Sequence, residues 1–247
     1  MAARHSFLVT GASSDLGKEL VQFLIEDPQV AVVSTARRSN TQIPCESSNH
    51  RHLAGIDLAD ADGVRELLLQ TNRWLPGIFH VINCVGYFPG FREICKTDVS
   101  EVRRVLEENV LTVHSVAAEA IPLMKARGGG HFIAFSSHAV PQAFPLMAAF
   151  SAAKAALESL IRSIANEYSK DKIVATALAV ATLDTPRERE KRPHADPQNW
   201  LKPRQIYEFI RQLVDSPFQI MNGNTIQLFN YSDDYFGKSY FDRLGTR

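Results

Sequence analysis

The feature that most constrains this chain is a repeated change of hydrophobic period. Short apolar runs, SFLVT (6–10), VAVVSTA (30–36), HLAGI (52–56), FHVIN (79–83), HFIAFS (131–136), KIVATALAV (172–180) and TIQLF (225–229), alternate with longer segments of helical period at 17–26, 60–73, 99–125, 149–169 and 203–215. Runs rich in Val and Ile without polar alternation are buried on both faces, and strands joined through helices must run parallel. The expected architecture is α/β, a doubly wound parallel sheet with helices on both faces. No repeat, low-complexity tract or Gly/Ser linker divides the chain, so residues 1–247 read as a single domain, and 45% hydrophobic composition is ample for its core.

Charge excludes more than it suggests. Lys plus Arg equal Asp plus Glu at 27 each, so no global field favours nucleic acid or an anionic membrane, and any attraction to anions must be local. The three cysteines, Cys45, Cys84 and Cys95, lack CxxC or metal-ligand spacing and read as small apolar residues of a reduced interior, with no metal expected. The amino terminus enters a strand within a few residues and carries no long apolar stretch. Secretion and membrane spanning are therefore not expected, and a cytoplasmic location is.

One segment breaks the alternation. Residues 181–204, ATLDTPREREKRPHADPQNWLKPR, are dense in charge and carry Pro186, Pro193, Pro197 and Pro203, which discourage a continuous helix. Ligands of open α/β sheets sit beyond the carboxyl ends of the strands, so a long insert after a strand is placed to act as a substrate lid. Within it, residues 185–194 hold a local excess of two positive charges, which suits an anionic substrate or cofactor phosphates. The plain alternative is a solvated loop.

VTGASSDLGKEL follows the first strand and opens a helix, the context that a dinucleotide-binding turn of the Rossmann type requires. Gly11 permits the tight turn and Gly17 the close approach of helix to strand. The helix amino terminus then faces an anion, and Thr10, Gly11, Ser13, Ser14, Asp15, Leu16 and Gly17 form the pyrophosphate cradle. Asp15 stands where such a turn usually has its middle glycine. The second strand ends in Ala36, Arg37 and Arg38. An acidic residue there would bind the ribose hydroxyls of NAD, whereas the guanidinium groups can grip a 2′-phosphate, so NADP(H) is the expected cofactor.

With these pieces in order, residues 5–230 resemble the single-domain form of the short-chain dehydrogenase/reductase family. Asp57 and Leu58 in GIDLAD stand where the family contacts the adenine. NCVG resembles the family's NNAG strand end, keeping Asn83 and Gly86. Asn109 in EENVLTV matches the helix asparagine, Ser137 in FSSHAV the catalytic serine, and Lys154 the catalytic lysine. Thr185 in TLDTP resembles the nicotinamide-carboxamide contact. Val180 and Ala181 replace the usual Pro-Gly.

The resemblance implies hydride transfer between NADP(H) and a small carbonyl or alcohol substrate. In the family a serine holds the substrate oxygen, a tyrosine supplies the proton, a lysine binds the nicotinamide ribose and lowers the tyrosine pKa, and an asparagine secures a relaying water. At the tyrosine position this chain has Phe150, thirteen residues after Ser137 and four before Lys154. Phe has no proton to give. Three readings stay open: an active reductase using another acid, with Tyr87 and His138 nearest in sequence; a non-catalytic NADP(H) binder; and an engineered tyrosine replacement. The small and apolar faces of 99–125 and 149–169, which the family uses for assembly, point to a homodimer or homotetramer.

Overall fold

Ser14 and Gly11 show how local chemistry starts the fold. The computed structural model describes residues 5–38, 43, 47–216 and 221–230; Cys45 and the tail after residue 230 lie outside them. Strand β1 (His5–Thr10) ends at Gly11, whose φ of 68° favours glycine. Helix α1 (Asp15–Ile25) then begins with Ser14 Oγ accepting from the Gly17 N–H at 3.0 Å, a serine N-cap that satisfies one orphan donor.

The chain continues through β2 (Val30–Ala36), β3 (His50–Ala54), α2 (Ala61–Trp74), β4 (Ile78–Asn83), α3 (Val99–Leu106), a π-helical turn (Glu107–Leu111), α4 (Thr112–Ala126) and β5 (Gly130–Ser137). It closes with α5 (Ala139–Gln142), α6 (Ala148–Glu167), β6 (Ile173–Val180), α7 (Pro186–Lys191), α8 (Pro203–Asp215) and β7 (Thr225–Leu228). Among the described residues, seven strands form one sheet in the order β3-β2-β1-β4-β5-β6-β7, every neighbouring pair parallel. This is a Rossmann-like single domain. The strand order reverses direction at β1, which lies between β2 and β4, and that crevice is where such sheets bind ligands.

Both faces are covered, as the unbroken apolar strands require. Leu67, Val116, Leu157 and Ile161 from α2, α4 and α6 pack on one face; Leu20, Leu24, Ile206 and Ile210 from α1 and α8 pack on the other. Each such side chain, fully removed from water, contributes roughly 1.5–3 kcal/mol.

Two departures from the sequence reading have clear causes. Strand β3 covers 50–54 rather than 52–56, because Ser34 Oγ on β2 pairs with His50 Nε2 and His52 Nδ1, each at 2.9 Å, and Gly55 turns the chain at a φ of 79°. In the 181–204 segment the prolines start short helices as well as limit them: Pro186 opens α7, Pro197 a 3₁₀ turn and Pro203 α8, positions where the missing N–H costs nothing. A parallel bridge between Leu183 and Leu201 ties its two ends together.

Candidate active site

The residues singled out from the sequence gather at the carboxyl edge of the sheet. Thr10 ends β1, Arg37 and Arg38 follow β2, Asp57 and Leu58 follow β3, Asn83 ends β4, and Ser137 ends β5. Phe150 and Lys154 lie in the first two turns of α6, and Thr185 caps α7.

The glycine turn is tightly built. A Cβ on Gly11 would lie 2.7 Å from the Cys84 carbonyl carbon and the Val85 nitrogen, and one on Gly17 would strike the Gly11 carbonyl oxygen. Thr10 Oγ1 donates to Asn83 Oδ1 at 2.6 Å, joining the two strands at the crevice, and leaves the buried Asn83 Nδ2 without a protein partner among the described residues. Leu16 and Leu58 turn their side chains into the core. Asp15 lies in the first turn of α1, where a carboxylate favours the helix dipole, and its Oδ2 is 3.9 Å from Arg187 Nε.

Around Phe150 the polar groups converge. Lys154 is 5% exposed, and its Nζ donates to the Phe135 carbonyl at 2.8 Å. Burial pushes its ammonium down to about 8, opposed by Glu158. Asn109 sits in the π turn, donating through Nδ2 to the Tyr87 and Val105 carbonyls, each at 2.8 Å, and accepting from the Tyr87 N–H at 3.3 Å. A π turn widens one helical loop and frees the Val105 carbonyl for a side chain to cover. Gly86 lies between the two groups: a Cβ there would be 3.0 Å from Asn109 Oδ1 and 3.3 Å from Lys154 Nζ. The Phe150 ring centroid is 5.7 Å from Lys154 Nζ, and the ring meets Phe88 edge-on at 5.1 Å. Ser137 Oγ accepts from the Ala139 N–H at 3.1 Å, which holds its oxygen at the end of β5.

Of the two substitute acids, Tyr87 has its ring 4.1 Å from the Arg104 guanidinium, and the neighbouring Glu101 carboxylate raises its pKa. That ring lies against α3. His138 is 2% exposed, with its ring against Phe229 at 5.0 Å, and burial lowers its pKa. It is held neutral.

The positive excess read in 185–194 does not survive folding. Arg189 binds Asp184 through two bonds of 2.6 and 2.9 Å, Arg192 is 2.8 Å from Glu188, and Arg187 faces Asp15. Two of those carboxylates lie outside the sequence window, so a local count could not include them. Thr185 Oγ1 accepts from the Glu188 N–H at 3.3 Å.

Other partners were not foreseen. Ser136 Oγ donates to Glu158 Oε1 at 2.5 Å inside the protein. Position 158, four after Lys154, is a signal that the sequence does contain. Arg37 Nη1 donates to Glu108 Oε1 at 2.7 Å, and nothing local announces that pair.

The sequence profile of the short chain dehydrogenase family matches residues 5–196; the chain belongs to this family. Among its relatives is the benzil reductase that forms (S)-benzoin in Saccharomyces cerevisiae, 24% identical over 213 residues, which are 82% of this chain and 80% of that protein. A short-chain type dehydrogenase/reductase from Mycobacterium ulcerans superposes with a TM-score of 0.82 at 18% identity, covering 92% of this chain and 90% of the other. A tyrosine-to-phenylalanine variant of ElxO with NADPH bound gives 0.81 at 17% identity, covering 91% and 96%. The family makes this an oxidoreductase fold for nicotinamide chemistry on small molecules. No helix among the described residues is long and apolar enough to cross a membrane.

Proposed function

We propose that this chain binds NADP(H) along the β1–β4 crevice and interconverts a small carbonyl and alcohol, with proton transfer weakened by Phe150. The observation that carries the reading is the convergence of Lys154 Nζ and Asn109 Oδ1 on Gly86, beside the Phe150 ring. The turn from Thr10 to Gly17 fits a pyrophosphate at the α1 amino terminus. Arg37, with Arg38 beside it, would take a 2′-phosphate, Asp57 and Leu58 would border the adenine, and Thr185 the carboxamide. The NADPH-bound ElxO variant lends support, because a fold of this kind holds that cofactor with a tyrosine exchanged for phenylalanine.

Reduction of a carbonyl needs a hydride, which the nicotinamide supplies when bound, and a proton for the oxygen. Ser137 can donate its hydroxyl to that oxygen and stabilise the charge building there. Lys154 can hold ribose hydroxyls, and Asn109 fixes the loop at Tyr87. Phe150 preserves the ring of the missing tyrosine and contributes no proton. His138, adjacent to Ser137, could deliver a proton only in its cationic form, which burial disfavours. A second reading, a non-catalytic NADP(H) binder, rests on the same bare ring. Residues 181–204 serve as a substrate lid, the exposed Leu106 at the end of α3 and Leu111 at the end of the π turn suit a homodimer or homotetramer, and the location is cytoplasmic.

The test is fluorescence titration with NADPH and NADH, followed by NADPH oxidation against a panel of aromatic and aliphatic carbonyls, for the wild type and Phe150→Tyr side by side. Tight NADPH binding with slow turnover that rises in the variant supports the reductase. Binding without turnover in either form selects the non-catalytic binder. Absence of binding to both cofactors removes both readings.

A further inference from the structure

The Arg37 guanidinium is already committed to a carboxylate from the π turn. Glu108 Oε1 accepts from Arg37 Nη1 at 2.7 Å; the Glu108 side chain is 17% exposed and that of Arg37 53%. Glu108 is the larger cause of the raised Arg37 pKa, with Asp57 and Glu107 adding to it. These residues line a cavity of about 450 Å³ together with Arg104 and Thr112. Two cations thus face three carboxylates, which weakens the attraction of the site for a 2′-phosphate.

Resting on the NADP(H) reading above, we infer that Glu108 is a specificity-determining residue, a counter-charge that weakens the grip of Arg37 on the 2′-phosphate and narrows the preference for NADP(H) over NAD(H). The guanidinium offers five donors, so the edge opposite Nη1 can still take an anion. An anion there lies roughly 6–7 Å from the Glu108 carboxylate, given the width of the planar fork and two hydrogen bonds. Like charges at that separation in a partly buried site correspond to about a tenfold change in affinity. The opposing effect, that Glu108 orients Arg37, is smaller, since a half-exposed arginine gains only a few-fold from pre-organisation. The neutral 2′-hydroxyl of NAD(H) meets no such repulsion. The π turn therefore does two jobs with adjacent residues: Asn109 fixes the loop next to Lys154, and Glu108 tempers the cofactor end.

The experiment is to measure Kd for NADPH and NADH by fluorescence titration on the wild type, Glu108→Gln and Arg37→Gln, with circular dichroism to confirm folding. The expected result is that Glu108→Gln tightens NADPH about tenfold while NADH changes less than about twofold, and that Arg37→Gln weakens NADPH selectively. A purely structural role would move both cofactors together. Unchanged ratios, parallel changes or a shift toward NADH in Glu108→Gln overturn the role of Glu108 while leaving NADP(H) binding intact. Failure of the wild type to bind either cofactor overturns the reading beneath it and this inference with it.

Discussion

Replacing His131 with phenylalanine should flatten the acid limb of the stability profile. At the amino-terminal edge of the sheet, opposite the candidate site, three histidines stack: ring centroids are 5.1 Å apart for His5 and His80, and 5.5 Å for His80 and His131. The His131 backbone N–H donates to His80 Nδ1 at 3.1 Å, so His80 carries its proton on Nε2. That nitrogen lies 3.0 Å from His5 Nδ1, which leaves His5 protonated on Nε2, 3.2 Å from Asp215 Oδ1. Arg211 reaches Asp215 at 3.4 Å and adds positive charge near the stack. Burial pushes His80 well below its ordinary 6.5 and His131 down to about 4, with the neighbouring histidines adding to both. Both are neutral when folded and take up protons when unfolded below 6.5, so stability is complete above 6.5 and falls as the pH drops toward the folded value. For His131 alone the gap from 6.5 to about 4, at about 1.4 kcal/mol per pH unit, amounts to roughly 3 kcal/mol, of which about 2 is lost by pH 5. Phenylalanine keeps the ring and leaves the backbone bond to His80 untouched. Urea unfolding at pH 7.5, 6 and 5 should show the wild type losing about 2 kcal/mol more than His131→Phe across that range. Parallel profiles would refute the reasoning.

Three further outcomes are expected. Gly11→Ala should lower stability by more than about 2 kcal/mol and abolish cofactor binding, because the added Cβ meets backbone 2.7 Å away at a φ of 68°; denaturation and titration check it. Asn109→Ala removes three hydrogen bonds from a buried position and should cost about 2–4 kcal/mol, seen as a lower urea midpoint. Phe150→Tyr should raise the rate of carbonyl reduction about 10²–10⁴-fold with little change in NADPH affinity, and a variant no faster than the wild type would mean that the proton has another source.

Much of the fold was legible because its cause is periodic. Of the strands that read as apolar runs, β1, β2, β4, β5 and β6 are buried almost throughout and the edge strand β7 only in part, and their ends agree within a residue or two. β3 was shifted because its register is set by polar groups, Ser34 with His50 and His52, which a hydrophobic count does not weigh. At the candidate site, Gly11 and Gly17 were read from the spacing of the turn, and Ser137 and Lys154 from the family resemblance. Glu108 with Arg37, separated by 71 positions, and Asp15 with Arg187 were not, since ion pairs across the fold leave no local pattern. The apparent surplus of charge in 185–194 failed for the same reason.

In the proposed reading, the arrangement around Lys154 separates cofactor binding from proton delivery. A lysine brought down to about 8 by burial is held in the folded state at a cost in stability, which an apolar side chain of the same length would avoid. The Phe135 carbonyl, the attraction of Glu158 and the face of Phe150 offset part of that cost. None of them requires a tyrosine. In the proposed reading Lys154 holds ribose through its own donors, so the loss of the phenol removes proton delivery and leaves cofactor binding in place. Such a group, kept where it destabilises and facing a glycine that leaves it room, belongs to a binding site more readily than to a core. In that reading Phe150 acts on the rate of one step, and the rest of the constellation stands without it.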